Sequence, residues 1–381
     1  MNFGLTDNEK MIRDSVREFA EAELLPHYQR WDRTGEWLPQ DYIDKLVNMG
    51  LLNLRLPEEY GGQGATFVEC GIVCEEIGRC DHQIRYIVTN AIHLGEMAGS
   101  IHPELREEWI PRIAKGEMMS LAFTEPRGGA DAGNITTKAV KDGDHWIITG
   151  EKTSITFCDV SKVVFTTART GGRGPRGLSF FLIPTDTPGV KAVPFERMGQ
   201  RLDRGGSFFF DDVRIPARNM VGQENDGFIW AMEIIGYNRC FVPLACIGAA
   251  MKSLEETAEY AKQRNVMGKP MSKWQAVSTE LAHHKTQLEA ARLLCYRALW
   301  MKDQGIRHDA ESSMAKWWGV KIANEALYTC MRLHGHYGWA KAFPFEQRMR
   351  DCLGMESADG PREVHHGIIA RDMLGKEFAP F

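Results

Sequence analysis

Hydrophobic residues in this 381-residue chain follow two different periods, and the change between them constrains the fold more than any other feature. From Asp7 to about Lys115, and again after Gly227, apolar residues recur at intervals of three and four, as on one face of an α-helix. Between Glu117 and Val221 the apolar runs are short, and clusters of Gly, Pro and Asp separate them. The sequence therefore predicts an α+β fold, with helices on both sides of a β region.

The same pattern predicts three domains. Residues 1–116 form an N-terminal helical domain, residues 117–226 a middle antiparallel β domain, and residues 227–381 a C-terminal four-helix bundle. Asp7 and Thr66 are the expected helix N-caps. Helices are expected over 228–263, 272–303, 310–334 and 361–374, and strands over 120–123, 138–140, 146–148, 163–168, 178–183, 190–193 and 208–210.

Charge and composition exclude several function classes. The net charge of -5 and the pI near 6.2 argue against a surface for nucleic acid or for an anionic membrane, which would show a basic excess. No uninterrupted apolar run approaches the roughly 18 residues of a membrane helix. The first residues show no signal-peptide pattern, so a cytoplasmic protein without a membrane partner is expected.

Cysteine and histidine spacing does not predict a metal site. The nine cysteines show no Cys-x-x-Cys pair and are expected to be reduced and mostly buried. Two adjacent histidine pairs, His283–His284 and His365–His366, have two possible readings. They are solvated or capping side chains, which is the expectation, or metal ligands.

Two separated windows carry the first functional signal, LAFTEPRGGAD at 121–131 and GEKTSIT at 150–156. Gly128 and Gly129 lack a Cβ, so the backbone there can come close to a planar ligand. Together the windows resemble the flavin cradle of the acyl-CoA dehydrogenase family, with Ser154 where the family has Trp and Ala130 where it has Ser. The resemblance extends over essentially the whole chain.

The resemblance implies FAD as cofactor and an acyl-CoA thioester as substrate. It places Thr156 near flavin N5 and Thr124 near the pyrimidine edge of the flavin ring. The cofactor-binding residues that it implies, apart from those expected to reach a neighbouring subunit, are Leu121, Phe123, Thr124, Gly129, Ala130, Ser154, Thr156, Pro361 and Glu363.

Other segments resemble the part of the family fold that reaches the FAD of a neighbouring subunit. There Arg264 faces the pyrophosphate, Gln275 lies nearby, and Met267 stands where Phe is usual. Arg332 replaces a common Gln and His336 a common Gly beside the FAD phosphates. The resemblance therefore implies a homo-oligomer, expected to be a tetramer, with an electron-transfer flavoprotein as electron acceptor.

Substrate contacts are implied at Ala130, Asn238, Arg239 and Gly360. Arg239 falls where the family has a basic residue near the CoA thioester, a suitable task for a guanidinium. The alternative is a surface arginine with a partner four residues away on its helix.

The catalytic base is expected at Asp359. Most acyl-CoA dehydrogenases have a Glu-Gly pair eight residues after an Arg-Asp pair, and counting from Asp351 arrives at Asp359-Gly360. A carboxylate there removes the α-proton of the thioester. The alternatives are that Asp359 only forms a turn and a helix N-cap, and that Glu356 is the base.

An Asp base implies a particular substrate. It is one methylene shorter than Glu, and a displacement near 1 Å costs roughly a hundredfold in rate. A bulky α-carbon would compensate, so we expect a cyclic or α-branched acyl-CoA, with cyclohexane-1-carboxyl-CoA as the specific candidate. Two alternatives keep the fold. One is an oxidase similar to nitroalkane oxidases, which use Asp at this position without CoA, and the other is a catalytically silent flavin-binding paralogue.

Overall fold

The N-terminal region is helical, as the periodicity predicts. A computed structural model describes residues 4–378. Helix α1 continues into a π-helical turn at Ala20–Leu24. Helices α4 and α5 both pack against the C-terminal helices, and α5 also packs against the sheet. The helices are α1 (Asp7–Phe19), α2 (Tyr28–Thr34), α3 (Gln40–Asn48), α4 (Phe67–Cys80), α5 (Arg85–Met97) and α6 (Pro103–Ala114).

Two of these helices begin with a capping box. Thr66 accepts a hydrogen bond from the Glu69 N–H, and the Glu69 side chain accepts one from the Thr66 N–H. The same arrangement joins Thr6 and Glu9 at the start of α1. The predicted cap at Asp7 is therefore wrong by one residue, because the Thr6 hydroxyl reaches the free N–H groups and Asp7 lies in the first turn.

The middle region is one eight-stranded sheet with the order β6-β7-β3-β2-β4-β5-β8, and β1 pairs with β4. Most pairs are antiparallel, as expected. However, β1 runs parallel to β4, so the sheet is mixed. The strands are β1 (Met118–Ala122), β2 (Lys138–Asp142), β3 (His145–Ile155), β4 (Ser161–Arg169), β5 (Leu178–Pro184), β6 (Val190–Pro194), β7 (Gly206–Pro216) and β8 (Met220–Val221).

The C-terminal region is a helical bundle. Helix α7 packs against α8 and α9, and α12 packs against α9. A small hairpin, β9 (Asn265–Val266) with β10 (Lys269–Pro270), joins α7 to α8. The helices are α7 (Gly227–Gln263), α8 (Gln275–Asp303), α9 (Asp309–Leu333), α10 (His336–Trp339), α11 (Phe345–Leu353) and α12 (Arg362–Leu374).

Helix α7 is the central element of the core. By length and composition it could cross a membrane, but 89% of its most apolar window is buried inside the protein. One hydrophobic core runs continuously from α1 and α4 through α7 to α9 and α11, and a second lies within the sheet. All nine cysteines are buried and free, most of them in the continuous core. The core thus fixes α7, and with it every side chain that α7 presents to the site.

Candidate functional site

The loop before α12 carries the predicted base. Asp359 has φ of +53°, a left-handed conformation that aspartate adopts more readily than most residues. Its carboxylate Oδ2 accepts a hydrogen bond of 2.6 Å from Asn238 Nδ2 on α7. Its backbone carbonyl accepts a hydrogen bond of 3.3 Å from Arg239 Nε. The structure therefore brings together Asn238, Arg239, Asp359 and Gly360, as the sequence analysis expects.

Arg239 is not a surface arginine. Its side chain is buried, and its Nε donates to the base loop and not to a residue on its own helix. Burial lowers the pKa of Arg239, while the charge of Asp359 acts in the opposite direction. The guanidinium stays protonated and adds positive charge beside the carboxylate, so the alternative reading of Arg239 is wrong.

Two further buried side chains hold the backbone of this loop. Lys316 on α9 donates from Nζ to the carbonyls of Glu356 and Gly360, at 3.1 and 3.0 Å. Burial lowers the pKa of Lys316 to about 8. The His365 Nε2 contacts the same Gly360 carbonyl at 2.9 Å, and burial lowers the pKa of His365 to about 3. His365 is therefore neutral at pH 7 and donates from Nε2.

The structure separates the two candidate bases. The N-cap of α12 is Pro361, without a side-chain cap, so Asp359 does not act as an N-cap. Glu356 is exposed, and its carboxylate accepts a hydrogen bond of 3.1 Å from Asn324. Glu356 lines an open cleft of about 640 Å³ together with Pro361 and Glu363. Asp359 is the carboxylate that contacts the polar residues of α7.

The two sequence windows lie side by side at the edge of the sheet. The Thr153 N–H donates to the Thr124 carbonyl at 2.9 Å, and the Ser120 hydroxyl donates to the Thr156 carbonyl at 2.8 Å. The hydroxyl groups of Thr124, Ser154 and Thr156 make no hydrogen bond within residues 4–378, and all three residues are at least partly exposed. This edge offers free donors and acceptors beside apolar side chains, which fits the polar rim and flat faces of a flavin.

Four more residues predicted around the flavin flank this edge, whereas Pro361 and Glu363 line the cleft beside Glu356. Leu121 and Phe123 are half-buried, and the Phe123 ring stacks on Phe180 at 5.6 Å. Gly129 and Ala130 lie in the exposed loop that follows, and within residues 4–378 no hydrogen bond joins them to the base loop. Helix α5 joins the two halves of the site, because Asn90 donates to the Met119 carbonyl of β1 and Arg85 contacts Asn238.

A buried ion pair supports the loop of the first window. Lys152 Nζ on β3 lies 2.9 Å from Glu125 Oε1. Glu125 also accepts hydrogen bonds from the backbone N–H groups of Thr136 and Thr137. Burial acts to raise the pKa of Glu125, but Lys152 and these hydrogen bonds lower it to about 2. Burial lowers the pKa of Lys152 to about 8, so both groups are charged at pH 7.

The residues predicted to reach a neighbouring subunit form a separate cluster. Arg264 directly follows the last residue of α7, and Gln275 is the first residue of α8. Met267 lies at the tip of the β9–β10 hairpin with 88% of its surface exposed. Arg332 lies in the last turn of α9 and His336 begins α10. All five side chains are exposed, and none contacts the base loop. The structure does not bring them to the Asp359 site of the same chain.

Some residues of the site were not predicted from the sequence. Lys316, His365 and Arg85 carry no motif, because their partners lie 40 residues or more away in sequence or are backbone carbonyls. The sequence also gave no sign of three buried donors, His82, Cys246 and Cys352, whose ligand atoms lie within 4.8 Å of one another. Their spacing matches no zinc motif. In each of the two adjacent histidine pairs, one ring bonds to a protein group: His284 to the Thr329 hydroxyl and His365 to the Gly360 carbonyl.

Comparison with known proteins covers nearly all of the chain. Residues 6–117, 120–213 and 225–374 match the N-terminal, middle and C-terminal domains of acyl-CoA dehydrogenases. The chain is 32% identical to a probable acyl-CoA dehydrogenase, YngJ, of Bacillus subtilis, over 98% of this chain and 100% of the relative. It is 31% identical to a cyclohexane-1-carbonyl-CoA dehydrogenase of Geobacter metallireducens, over 98% and 99% of the two chains.

The fold of the chain also matches that of a solved structure. Butyryl-CoA dehydrogenase from Megasphaera elsdenii superposes with a TM-score of 0.92 and 28% sequence identity, over 98% of this chain and 100% of the other.

Proposed function

Because this chain belongs to the acyl-CoA dehydrogenase family, we propose that it oxidises a cyclic or α-branched acyl-CoA to the 2-enoyl-CoA, with cyclohexane-1-carboxyl-CoA as the first candidate. The protein is an FAD-dependent oxidoreductase that acts on acyl-CoA thioesters. What we propose is the identity of the acyl group in the substrate. One observation carries it: the carboxylate held beside Asn238 and Arg239 belongs to an aspartate.

Asp359 is suited to remove the α-proton. Its carboxylate is fixed by Asn238, so little reorganisation precedes the transfer. The Asp359 N–H makes no hydrogen bond within the described residues, and it is available to polarise the thioester carbonyl as negative charge develops on that oxygen. The bound FAD supplies the hydride acceptor for the β-carbon. Asp359 then holds the proton until the product leaves.

The short side chain selects the substrate. Asp withdraws the carboxylate by roughly 1.5 Å relative to Glu, and such a displacement costs on the order of a hundredfold with an unbranched chain. A ring or branch at the α-carbon fills the space and brings the C–H bond closer to the base. Ser154, in place of the family's Trp, also leaves room beside the flavin edge. The relative named for cyclohexane-1-carbonyl-CoA supports this choice.

The test is anaerobic flavin absorbance on mixing the holoenzyme with acyl-CoA thioesters. We expect cyclohexane-1-carboxyl-CoA or α-branched thioesters to bleach the flavin faster than butyryl-CoA or octanoyl-CoA. Bleaching should be lost in Asp359→Asn and kept in Glu356→Gln. Equal rates with straight chains would refute the substrate class, and an active Asp359→Asn with an inactive Glu356→Gln would reverse the assignment of the base. Bleaching by a nitroalkane alone would favour an oxidase.

Further proposals concern the electron acceptor, the oligomeric state and the cellular location. From the family resemblance we also propose reoxidation by an electron-transfer flavoprotein and assembly as a homotetramer. A cytoplasmic location is a separate proposal that does not rest on the resemblance. The exposed cluster around Arg264 supports the assembly, because its implied cofactor contacts need a second copy of the chain.

A further inference from the structure

Arg85, the first residue of α5, is the most unusual buried charge in the described part of the chain. Its side chain is fully buried, with 0% of its surface exposed. Two of its three nitrogen atoms, Nε and Nη2, have no hydrogen-bond partner among the described residues. The guanidinium lies over the Tyr86 ring at 4.2 Å, and Nη1 lies 3.5 Å from Asn238 Oδ1, longer than an ordinary hydrogen bond. A buried guanidinium without a partner is costly, so the feature needs an explanation.

Arg85 lies close to the base. Asn238 contacts Arg85 through its carbonyl oxygen and Asp359 through its amide nitrogen, the latter at 2.6 Å. Because these two amide atoms share one carbon, the Arg85 guanidinium lies at most about 8 Å from the Asp359 carboxylate. The guanidinium therefore lies within the length of a short acyl group whose α-carbon meets Asp359.

The protein itself provides no anion for Arg85. Within residues 4–378 no carboxylate oxygen lies within 4.0 Å of its nitrogen atoms. The nearby buried carboxylate of Asp203 is paired with Arg197 at 2.6 Å. The Tyr86 hydroxyl, next to Arg85 in sequence, donates to Gln200. His93 is bound to Tyr237, and burial lowers the pKa of His93 to about 3, so it is neutral.

The unpaired atoms define the missing ligand. Nε and Nη2 lie on the same edge of the guanidinium, and this edge donates two parallel hydrogen bonds to a carboxylate. We propose that Arg85 binds a carboxylate carried by the acyl group, so that the substrate is the CoA monothioester of a short α-branched dicarboxylic acid. This inference rests on the proposed function and narrows its substrate class. Cyclohexane-1-carboxyl-CoA lacks such a carboxylate and would leave Arg85 unpaired.

The upper bound on the separation of Arg85 and Asp359 limits the length of the diacid. With the thioester carbon as the first atom, the α-carbon is the second. A carboxylate on the fourth or fifth carbon spans about 8 Å between base and guanidinium once a hydrogen bond is allowed at each end. The reaction is unchanged: the α-proton goes to Asp359, the β-hydride leaves to the cofactor, and the second carboxylate only binds.

The experiment compares two thioesters that differ only in the distal group, both with the α-methyl carbon next to the thioester. 2-Methylsuccinyl-CoA has a carboxylate where 2-methylbutyryl-CoA has a methyl group. In anaerobic stopped-flow flavin reduction by the wild-type holoenzyme, we expect kcat/KM for the diacid to exceed that for the neutral thioester by at least a hundredfold. In Arg85→Met we expect a loss of about a thousandfold with the diacid, so that the preference for the diacid over the neutral thioester disappears.

Binding provides a readout that does not depend on turnover. S-(3-carboxypropyl)-CoA and S-butyl-CoA lack the thioester carbonyl and do not react. By calorimetry the carboxylate compound should bind the wild type at least tenfold more tightly than the butyl compound, and Arg85→Met should remove this difference. Arg85→Lys retains the charge without the fork and should retain part of the preference. Arg112→Met, which removes an exposed guanidinium stacked on Trp109, is the matched control.

The outcomes separate this inference from the proposed function. Equal rates and affinities for the two members of each pair in the wild type would overturn the inference, while rapid bleaching by the neutral branched or cyclic thioesters would uphold the proposed function. No bleaching by any branched or cyclic thioester, neutral or acidic, would overturn both. If Arg85→Met loses its FAD, the wild-type comparison and Arg85→Lys still decide. A carboxylate preference unchanged in both variants would remove Arg85 from the explanation.

Discussion

At the scale of single residues, the site depends on how the backbone of the base loop is held. Asp359 has a left-handed backbone, which costs energy that the surroundings must supply. Arg239 donates to its carbonyl, and Lys316 donates to the carbonyls on both sides of it in sequence, those of Glu356 and Gly360. Hydrogen bonds from a charged donor are about twice as strong as neutral ones. Lys316 is therefore a positioning residue, because it acts on Asp359 only through the backbone.

We predict that Lys316→Met slows anaerobic flavin reduction by about 10- to 100-fold, the value expected for one or two lost charge-assisted hydrogen bonds. FAD content should be unchanged. Because the pKa of Lys316 is about 8, the amine loses its charge as the pH rises past 8, and the wild-type rate should fall there. In Lys316→Arg this fall should move to higher pH, since a guanidinium does not titrate in this range.

The matched control for Lys316 is Lys321, one and a half turns further along α9. Lys321 is partly exposed, and within residues 4–378 its ion pair is with Glu325, so Lys321→Met should leave both the rate and its pH profile unchanged. A Lys316→Met variant with the wild-type rate and profile would show that Arg239 and His365 hold the loop without it.

The choice of base shows what the sequence could and could not predict at this scale. The spacing from Asp351 predicted Asp359, but Glu356, three residues before it, remained an alternative. The structure distinguishes them because Asn238, 121 residues before Asp359 in sequence, donates to the Asp359 carboxylate, whereas the Glu356 carboxylate accepts from Asn324. Arg85, at 153 residues from Asn238, could not be linked to the site by any local pattern. Contacts between distant segments depend on the packing of α5 against α7, which periodicity does not describe.

At the scale of elements, the flavin edge depends on the connection between β1 and β3. The loop after β1 leaves the sheet at Phe123, and Lys152 on β3 holds it through the Phe123 carbonyl and the Glu125 carboxylate. The side chains of Lys152 and Glu125 are 0% and 3% exposed. Removal of one partner from such a pair leaves an unpaired buried charge, which is more harmful than removal of both charges.

We predict that Lys152→Met lowers the free energy of unfolding by about 3–5 kcal/mol and weakens FAD retention, because Glu125 is left buried without a cation. The double variant Glu125→Gln/Lys152→Met should recover part of the stability, since both charges are removed and the one Gln carbonyl oxygen can still accept from either Thr136 or Thr137. Calorimetric unfolding and flavin content measure both effects. Lys285→Met, which breaks an exposed pair with Glu289, should cost less than about 1 kcal/mol. A double variant no more stable than Lys152→Met would contradict the argument.

Elements were easier to predict than their partners. The long bundle helices were expected at 228–263 and 310–334 and were found at Gly227–Gln263 and Asp309–Leu333, because each buries a stripe with helical period. The pairing of β1 with β4 was not predictable in the same way. Alternation identifies a strand, whereas hairpin signals identify only neighbours in sequence, and β1 pairs with a strand 43 residues further on.

At the scale of the whole molecule, the length of α7 separates two groups of predicted cofactor residues. Arg239 and Arg264 lie 25 positions apart on or at the end of this one helix, which corresponds to about 38 Å. Arg264, Gln275, Arg332 and His336 therefore lie far from the Asp359 loop of the same chain, and all four are exposed. If they bind FAD, they bind the FAD of a neighbouring subunit, and each complete site takes residues from two chains.

This arrangement predicts complementation between two inactive variants. Asp359→Asn lacks the base but keeps the Arg264 end, whereas Arg264→Glu keeps the base but repels the cofactor phosphates, so each homo-oligomer should be inactive. After the two are unfolded and refolded together with FAD, a site with Asp359 from one chain and Arg264 from the other has every required group. At equal amounts, we expect about a quarter of the sites to regain the wild-type rate of flavin reduction. Mixing of the refolded homo-oligomers without exchange is the control, and light scattering measures the number of subunits. Two inactive homo-oligomers whose joint refolding restores no activity would place the whole cofactor site within one chain, and a wild-type rate for Arg264→Glu alone would show that Arg264 is not needed.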